Sequence, residues 1–197
     1  MSEIIIDDLY KSFGDKKTLE GFSARFPHKK TTVIMGESGC GKTTLINIIM
    51  GLEKADRGNI IGITDRISAV FQEDCLCEDF SAVSNIRAVT GKKLSKAEIA
   101  DSLKKLGLME NDITCPVREL SGGMKRRVAI ARALLTDTDL IIMDEPFKGL
   151  DEETRQNVID FISKETISRT FIVITHDPNE IGLLRADKVI KIPQIKS

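Results

Sequence analysis

A glycine-rich segment between an apolar run and an apolar helix carries the clearest chemistry in this sequence. Residues 36–43 read GESGCGKT and fit the phosphate-binding pattern G-x-x-x-x-G-K-[ST]. Glycines let the main chain wrap closely around a polyphosphate, because a Cβ would block the approach and some turns need a positive φ. The N–H groups of such a loop and the positive end of the following helix attract phosphate oxygens. The segment therefore predicts a polyphosphate-binding loop.

The lysine and the threonine of this loop have separate expected tasks. Lys42 can reach the β- and γ-phosphates, and the Thr43 hydroxyl suits one corner of a magnesium octahedron. An ordinary turn would explain the glycines, but not a Gly-Lys-Thr triplet directly after a predicted strand. The expected phosphate contacts are Gly36, Glu37, Ser38, Gly39, Cys40, Gly41, Lys42, Thr43 and Thr44.

Two adjacent carboxylates, Asp144 and Glu145, follow the apolar run 139–143. They should emerge at the carboxyl end of a buried strand, at the sheet edge where the phosphate loop is also expected. An aspartate in this place can hold magnesium through water, and the next carboxylate can polarise an attacking water. A solvated acidic pair is the alternative, and the neighbouring phosphate loop makes it the poorer account.

A second glycine turn, LSGGM at residues 120–124, opens a predicted helix over 124–136. Ser121 is a favoured N-cap residue, and a helix N-terminus is also a ready anion site. One chain does not obviously need two phosphate sites, so this turn alone does not identify its ligand. The helix is expected to bury Met124, Val128, Ala131 and Leu135, and to leave Lys125, Arg126 and Arg127 toward solvent.

The elements that position these motifs alternate between strands and helices after residue 31. The runs 3–13 and 18–26 predict an antiparallel hairpin before that point. The later alternation predicts a mainly parallel sheet with ligands at the carboxyl ends of its strands. Strands are expected at 60–64, 67–71, 139–143, 170–175 and 187–192. Helices are expected after residue 43, between 80 and 109 with a Ser95–Glu98 capping box, at 124–136, after Asp151 and after Asp177-Pro178.

Composition narrows the classes of protein that this chain can belong to. The 197 residues are enough for one domain, or for a large domain with a small insert. A net charge of -1 gives no electrostatic case for binding nucleic acid. The N-terminus lacks a signal-peptide pattern, no apolar run is long enough to span a membrane, and the four cysteines do not form a zinc pattern. We expect a soluble cytoplasmic chain with free thiols.

The ordered set of motifs resembles the ATP-binding subunit of an ABC transporter. The set comprises Walker A (36–43), Gln72, the signature turn (120–124), Walker B (140–144), Glu145, Gly149-Leu150-Asp151 and His176. The resemblance covers residues 4–192. It implies a P-loop NTPase fold with a mainly parallel core, an N-terminal antiparallel β subdomain and a small helical subdomain. It also implies a single ATPase domain over 1–197, with the helical insert at about 73–120.

The resemblance also implies roles for individual residues toward ATP and Mg²⁺. Two chains would form a head-to-tail dimer, in which the signature turn contacts the γ-phosphate held by the partner and Asp151 carries signals across. Phe13 would stack on adenine, with Tyr10 as the competing aromatic. The implied catalytic residues are Glu145 as general base, His176 and Lys42; the implied magnesium residues are Thr43, Gln72 and Asp144; and the residues contacting ATP in trans are Ser121, Gly122, Gly123 and Asp151.

The partners implied by the resemblance are transmembrane permease subunits and a substrate-binding protein, on the cytoplasmic face of a membrane. The residues around 144–151 and 176–180 look most like nitrate/sulfonate/taurine-type importer ATPases. A soluble ABC-type ATPase that acts on a protein assembly, the ribosome or DNA would share every nucleotide motif. A nucleotide-binding module without hydrolysis would leave Glu145 and His176 unexplained, and a small-molecule kinase would leave the signature turn unexplained.

Overall fold

Five parallel strands form the central sheet of the computed structural model, which describes residues 2–195. In spatial order, the strands are β5 (Ile67–Val70), β6 (Leu140–Asp144), β7 (Thr170–Ile174), β3 (Thr31–Met35) and β8 (Lys188–Lys191). Every neighbouring pair is parallel, so the carboxyl ends of all five strands share one edge. The predicted parallel core is confirmed.

Three further strands form a separate antiparallel sheet. β1 (Ile4–Phe13) lies between β2 (Lys16–Phe26) and β4 (Arg57–Ile61). The predicted hairpin is therefore confirmed, and its turn brings Phe13 opposite Lys16. The strand expected at 60–64 lies earlier in the chain, at 57–61. Its Ile5↔Ile61 and Ile6↔Ile60 pairings with β1 set its register, which local sequence patterning could not supply.

Helices cover both faces of the central sheet. Their bounds are α1 (Lys42–Ile49), α2 (Ala82–Thr90), α3 (Lys96–Lys105), α4 (Glu110–Thr114), α5 (Gly122–Leu135), α6 (Glu152–Glu165) and α7 (Asn179–Leu183), with a 3₁₀ turn at Val117–Glu119. The Ser95–Glu98 capping box is formed at the start of α3, and Asp151 caps α6. None of the helices within residues 2–195 is both long and apolar enough to cross a lipid bilayer.

Alternate residues of the central strands enter two different hydrophobic cores. Val33 and Val173 belong to the core on the side of helices α2–α6, whereas Ile34 and Ile174 belong to the core shared with α1 and the antiparallel sheet. This division follows from the two-residue period of a strand. It explains why residues 140–143 of β6 and 171–174 of β7 are continuously apolar: both faces of these strands are covered, and every residue of each strand is buried.

One expectation about α5 is wrong. Lys125 and Arg127 are only partly exposed, and Arg126 is buried rather than turned toward solvent. Arg126 lies three and four residues before the buried Ala129 and Ile130, so it shares the apolar face of the helix. Its guanidinium is accommodated there because main-chain carbonyls accept its N–H groups.

Candidate functional site

The glycine-rich loop connects the carboxyl end of β3 to the first turn of α1. Gly41, the N-cap of α1, has a φ of 99°, and a Cβ on it would lie 2.7 Å from the Thr18 carbonyl oxygen. A Cβ on Gly36 would lie 2.5 Å from Cys40 Sγ and 2.8 Å from the Ile192 carbonyl oxygen. Both glycines are therefore required by this loop conformation, the first by strain and contact and the second by contact alone. The loop directs the N-terminus of α1 to the sheet edge where the strands end.

Lys42 is folded back over the loop that precedes it. Its Nζ donates hydrogen bonds to the carbonyl oxygens of Gly36 at 2.7 Å and of Glu37 at 2.8 Å. The ammonium group is thereby held across the mouth of the loop by neutral partners. A polyphosphate entering the loop would meet an ammonium group that is already in position and can exchange its carbonyl partners for phosphate oxygens.

Thr43 and Asp144 connect the phosphate loop to the end of β6. The Thr43 hydroxyl donates a hydrogen bond of 2.9 Å to Asp144 Oδ2, although the two residues are 101 positions apart in the chain. Asp144 is only 4% exposed, and this burial raises the pKa of its carboxyl group, while the bond from Thr43 opposes the rise. A buried carboxylate of this kind is stabilised when a cation binds beside it.

Glu145 and His176 meet at the ends of the neighbouring strands β6 and β7. His176 Nδ1 lies 2.9 Å and 2.8 Å from the two carboxylate oxygens of Glu145. This hydrogen bond, together with the negative charge of Glu145, raises the pKa of His176. Glu145 has a φ of 50°, which is uncommon for a residue with a side chain, and its N–H donates to the Ile174 carbonyl. The strand pairing thus supports the unusual backbone at this position.

A cavity of about 440 Å³ joins the phosphate loop to Asp144 and Glu145 at the carboxyl edge of the sheet, and His176 does not line it. Ser38, Gly39 and the start of α1 line one side, Asp144 and Glu145 line another, and Phe13 and Gln72 close the rim. A larger cavity of about 820 Å³ lies at the opposite edge of the sheet, near Thr31 and Asp187, and none of the predicted site residues lines it. Chemistry rather than size therefore identifies the smaller cavity as the candidate site.

Several predicted site residues lie outside this cavity. Gly36 and Glu37 do not line it, but their carbonyls hold Lys42. Cys40 is 3% exposed, with its side chain packed in the core beside α1, so only its main chain is available to a ligand of the loop. The signature turn was expected to contact ATP through Ser121, Gly122 and Gly123, and none of these three residues lines the cavity. Asp151 does not line it either.

Two residues of the N-terminal hairpin line the cavity but were not predicted. Lys16 and Thr18 lie beside Phe13 and the loop. Lys16 could have been found from the hairpin itself, because a tight turn after Phe13 places the two residues opposite each other. Tyr10, the competitor of Phe13, lies under the Arg57 guanidinium at 4.8 Å and does not line the cavity.

The oxygen groups at this site suit a magnesium ion. The Thr43 hydroxyl and the Asp144 carboxylate are already in contact, and Gln72 lines the same cavity. Mg²⁺ prefers such hard oxygen ligands and keeps several water or phosphate oxygens in its coordination shell. Burial leaves the Asp144 carboxylate poorly solvated, and this favours the binding of a cation beside it.

Comparisons with known proteins agree with this geometry. The sequence pattern of the family described as "ABC transporter" matches residues 19–148. An aliphatic sulfonates import ATP-binding protein of Rhodococcus jostii is 33% identical over 95% of the chain and 70% of its own length. A sulfate/thiosulfate import ATP-binding protein of Chromobacterium violaceum is 32% identical over 98% of the chain.

The chain spans 61% of the length of the Chromobacterium protein. Among solved structures, a dimeric post-hydrolysis state of the ATP-binding cassette MJ0796 bound to ADP and Pi superposes with a TM-score of 0.81. The sequence identity is 26%, and the match covers 98% of this chain and 97% of the other.

Proposed function

Since this chain belongs to the ABC transporter family, we propose that it binds and hydrolyses ATP and thereby powers a membrane transporter. The observation that carries the proposal is the convergence of Lys42, the Thr43–Asp144 pair and the Glu145–His176 pair at one sheet edge. These groups supply a phosphate cradle, a place for a cation and a base. Hydrolysis of a nucleoside triphosphate requires these three components.

In the proposed reaction, the phosphate loop binds the polyphosphate and Lys42 exchanges its two carbonyl partners for phosphate oxygens. Phe13, half exposed on the rim, offers its ring to adenine. Thr43, Asp144 and Gln72 would hold Mg²⁺, which supplies positive charge that offsets the phosphate oxygens. We further propose that 1–197 acts as one ATPase domain with a helical insert at about 73–120.

Glu145 is the proposed general base. It would accept a proton from the water that attacks the γ-phosphate, and main-chain and histidine contacts hold its carboxylate at the end of β6. His176 uses Nδ1 to orient Glu145, and its ring then presents Nε2 on the opposite side, toward a γ-phosphate. Lys42 would stabilise the negative charge that develops on the transferred group.

The signature turn and Asp151 are proposed to act on a second copy of the chain. They do not line the cavity of their own chain, yet Ser121 begins α5 with the exposed N-terminus of a helix. The structurally similar cassette bound to ADP and Pi is described as dimeric. We therefore infer a head-to-tail dimer in which Ser121, Gly122 and Gly123 of each chain complete the partner's ATP site.

The proposed partners are permease subunits in a membrane, together with a substrate-binding protein. Both relatives described above are named import ATP-binding proteins, which supports import and a place on the cytoplasmic face of a membrane. The two relatives are named for different cargoes, sulfonates in one and sulfate or thiosulfate in the other. Their sequence identities to this chain are nevertheless nearly equal. Similarity to the ATPase therefore does not specify the cargo.

The first experiment measures phosphate release from Mg-ATP by the purified chain. Lys42→Ala and Glu145→Gln should both abolish release, and Glu145→Gln should retain ATP binding and accumulate as an ATP-bound dimer in size-exclusion chromatography. Glu153→Gln, at an exposed position of α6, is the matched control and should hydrolyse ATP at the wild-type rate. Wild-type turnover by Glu145→Gln would remove Glu145 from its role as base.

The second experiment identifies the partner. Tagged Glu145→Gln is used with Mg-ATP to capture partners from detergent-solubilised native membranes, and the partners are identified by mass spectrometry. Recovery of a multi-span membrane protein supports the transporter function. Recovery of only soluble partners by a folded, ATP-bound bait would favour a soluble ABC-type ATPase instead.

A further inference from the structure

We propose that Arg126 is a positioning residue that ties Gln72 to helix α5, so that the signature turn and Gln72 move together. The inference rests on the proposed function, because Gln72 would help to hold the cation there. The tie is made through residues 71–75, here called the strap, which leave the end of β5 and lead toward α2.

Two arginines of α5 hold the strap through its main-chain carbonyls. Arg126 donates from Nη1 to the Phe71 oxygen at 2.6 Å and from Nη2 to the Gln72 oxygen at 2.8 Å. Arg132 donates to the Asp74 oxygen at 3.0 Å and to the Cys75 oxygen at 2.7 Å. Four of the five strap carbonyls are thus held by a single helix.

Arg126 is the buried member of this pair and holds Gln72 directly. Its side chain is 8% exposed, and the carboxylate of Asp74 lies 3.1 Å from its Nη1. Asp74 Oδ1 nevertheless has no well-aligned donor within the described residues, so the N–H groups of Arg126 are directed at the carbonyls. Burial raises the pKa of Asp74, although Arg126 and Arg132 oppose the rise.

The contacts require the shape of an arginine and not only its charge. A guanidinium presents several N–H groups in a fixed plane, and this lets one side chain bridge two successive carbonyls. A lysine would bring the same charge as a single point and could not hold both oxygens in the same geometry. The arrangement therefore fixes the direction of the chain at Gln72, which lines the candidate site.

Through this tie, α5 links the signature turn, which is proposed to act on the partner's ATP site, to Gln72 at the site of its own chain. Ser121, the N-cap of α5, is the residue expected to meet ATP on the partner chain, and Arg126 lies less than two turns along the same helix. A displacement of α5 on dimer closure would be transmitted to Gln72 through two hydrogen bonds. Arg126 acts through Gln72 in this scheme and does not itself contact the nucleotide.

Arg127 provides the matched control. It is also an arginine of α5 that binds carbonyls, but its partners are Gly123, Leu106 and Gly107. None of these belongs to the strap. Arg127→Gln therefore removes a comparable set of hydrogen bonds without releasing Gln72.

The test is a double-mutant cycle of Arg126→Gln and Gln72→Ala, with kcat and KM for ATP measured in each variant. We expect Arg126→Gln to lower kcat roughly tenfold while KM changes less than about twofold. In the Gln72→Ala background, the same substitution should change kcat by less than about twofold. Equal losses in both backgrounds would overturn the proposal, as would equal coupling of Arg127→Gln to Gln72→Ala. Arg126→Lys runs the same cycle if Arg126→Gln does not fold.

Amide hydrogen exchange supplies a readout that does not depend on hydrolysis. In Arg126→Gln without nucleotide, exchange should accelerate in residues 71–75 and not in β6, whereas Arg127→Gln should leave exchange in the strap unchanged. Unchanged exchange in the strap of Arg126→Gln would contradict the tie. If the wild-type chain released no phosphate, the proposed function would fail, and hydrogen exchange would still decide whether Arg126 holds the strap.

Discussion

His176 Nδ1 lies within 2.9 Å of both carboxylate oxygens of Glu145, and this pair joins the ends of two neighbouring strands. Glu145 follows β6 and His176 follows β7, so the parallel pairing of the strands places the two side chains together. The proposed base is therefore oriented by a group whose own charge depends on pH. This relationship can be measured directly.

We predict that the pKa of His176 lies above the ordinary value of about 6.5 and falls when Glu145 is replaced by Gln. Because the folded pKa is the higher one, the pair's contribution to stability is fully present below about pH 6.5. It is lost as pH rises through the raised pKa. A proton NMR titration measures the shift, with His28 as the second histidine of the sequence.

The His176→Asn spectrum assigns the two histidine resonances. An unchanged His176 titration in Glu145→Gln would contradict the pairing. His176 is largely exposed, so salt should also reduce the shift by screening the attraction between the two charges.

Asp144→Asn should stabilise the chain in the absence of nucleotide and magnesium. The raised pKa means that the folded state keeps a proton on Asp144 in a range of pH where the unfolded state has lost it. Stability therefore falls as pH rises from about 3.9 through the raised pKa, and the asparagine variant removes this loss. We expect its melting temperature in EDTA at pH 8 to be a few degrees above that of the wild type.

The same comparison at pH 4 is the control for Asp144→Asn. The difference in melting temperature should shrink there, because both states of the wild type begin to bind the proton. A variant less stable than the wild type at pH 8 would show that the Asp144 carboxylate is favourable without a cation. Hydrolysis should be lost in either case.

Mixed dimers test the proposed action of the signature turn on the partner. Ser121→Arg and Lys42→Ala should each be inactive alone. In a head-to-tail dimer, an intact loop from one variant meets an intact signature turn from the other, which restores one site of two. An equal mixture should therefore recover about a quarter of wild-type ATPase activity, since about half of the dimers are mixed.

No recovery in the mixture would place the signature turn and the loop of one site on the same chain. Because Ser121 also caps α5 by accepting a hydrogen bond from the Met124 N–H, the melting temperature of Ser121→Arg is measured alongside. ATP binding to the isolated variant should remain close to that of the wild type, since Ser121 does not line the cavity.

Substitutions of Asp151 should separate its two proposed roles, which are capping α6 and acting on the partner chain. Its carboxylate accepts hydrogen bonds from the Thr154 N–H at 2.9 Å and the Thr154 hydroxyl at 2.8 Å at the start of α6. Asp151→Ala removes the cap and should lower the melting temperature by a few degrees, whereas Asp151→Asn retains a capping side chain. If the charge acts on the partner chain, Asp151→Asn should lose ATPase activity without losing stability.

Asp151→Asn with full activity would contradict the role of the charge. Asp151→Ala with wild-type stability would contradict the cap. The two measurements are independent, because one follows heat denaturation and the other follows phosphate release.

Much of the site could be predicted because its chemistry is carried by short segments. The phosphate loop, the Asp144-Glu145 pair and the histidine each stand directly after a buried strand, and parallel strands bring such positions to one edge. The roles of Phe13 and His176 came from the family resemblance and not from these segments alone. The order of the strands and the contacts between side chains did not follow from these segments.

Arg126 shows why some positions could not be assigned from charge patterning. In a run of three basic residues, solvent exposure was expected, but this arginine faces Phe71 and Gln72, more than fifty residues earlier in the chain. Its burial depends on carbonyls that only the folded strap supplies. The helical spacing relative to Ala129 and Ile130 was the one available signal.

The sequence by itself determined the phosphate loop, the acidic pair and the strand–helix alternation, because glycine flexibility, charge and hydrophobic periodicity act over a few residues. Only the tertiary structure decided that Thr43 meets Asp144, that His176 meets Glu145 and that Arg126 holds Gln72. Those contacts join residues 31 to 101 positions apart. They depend on how strands pair and helices pack, and that is set by the burial of the whole chain rather than by any local segment.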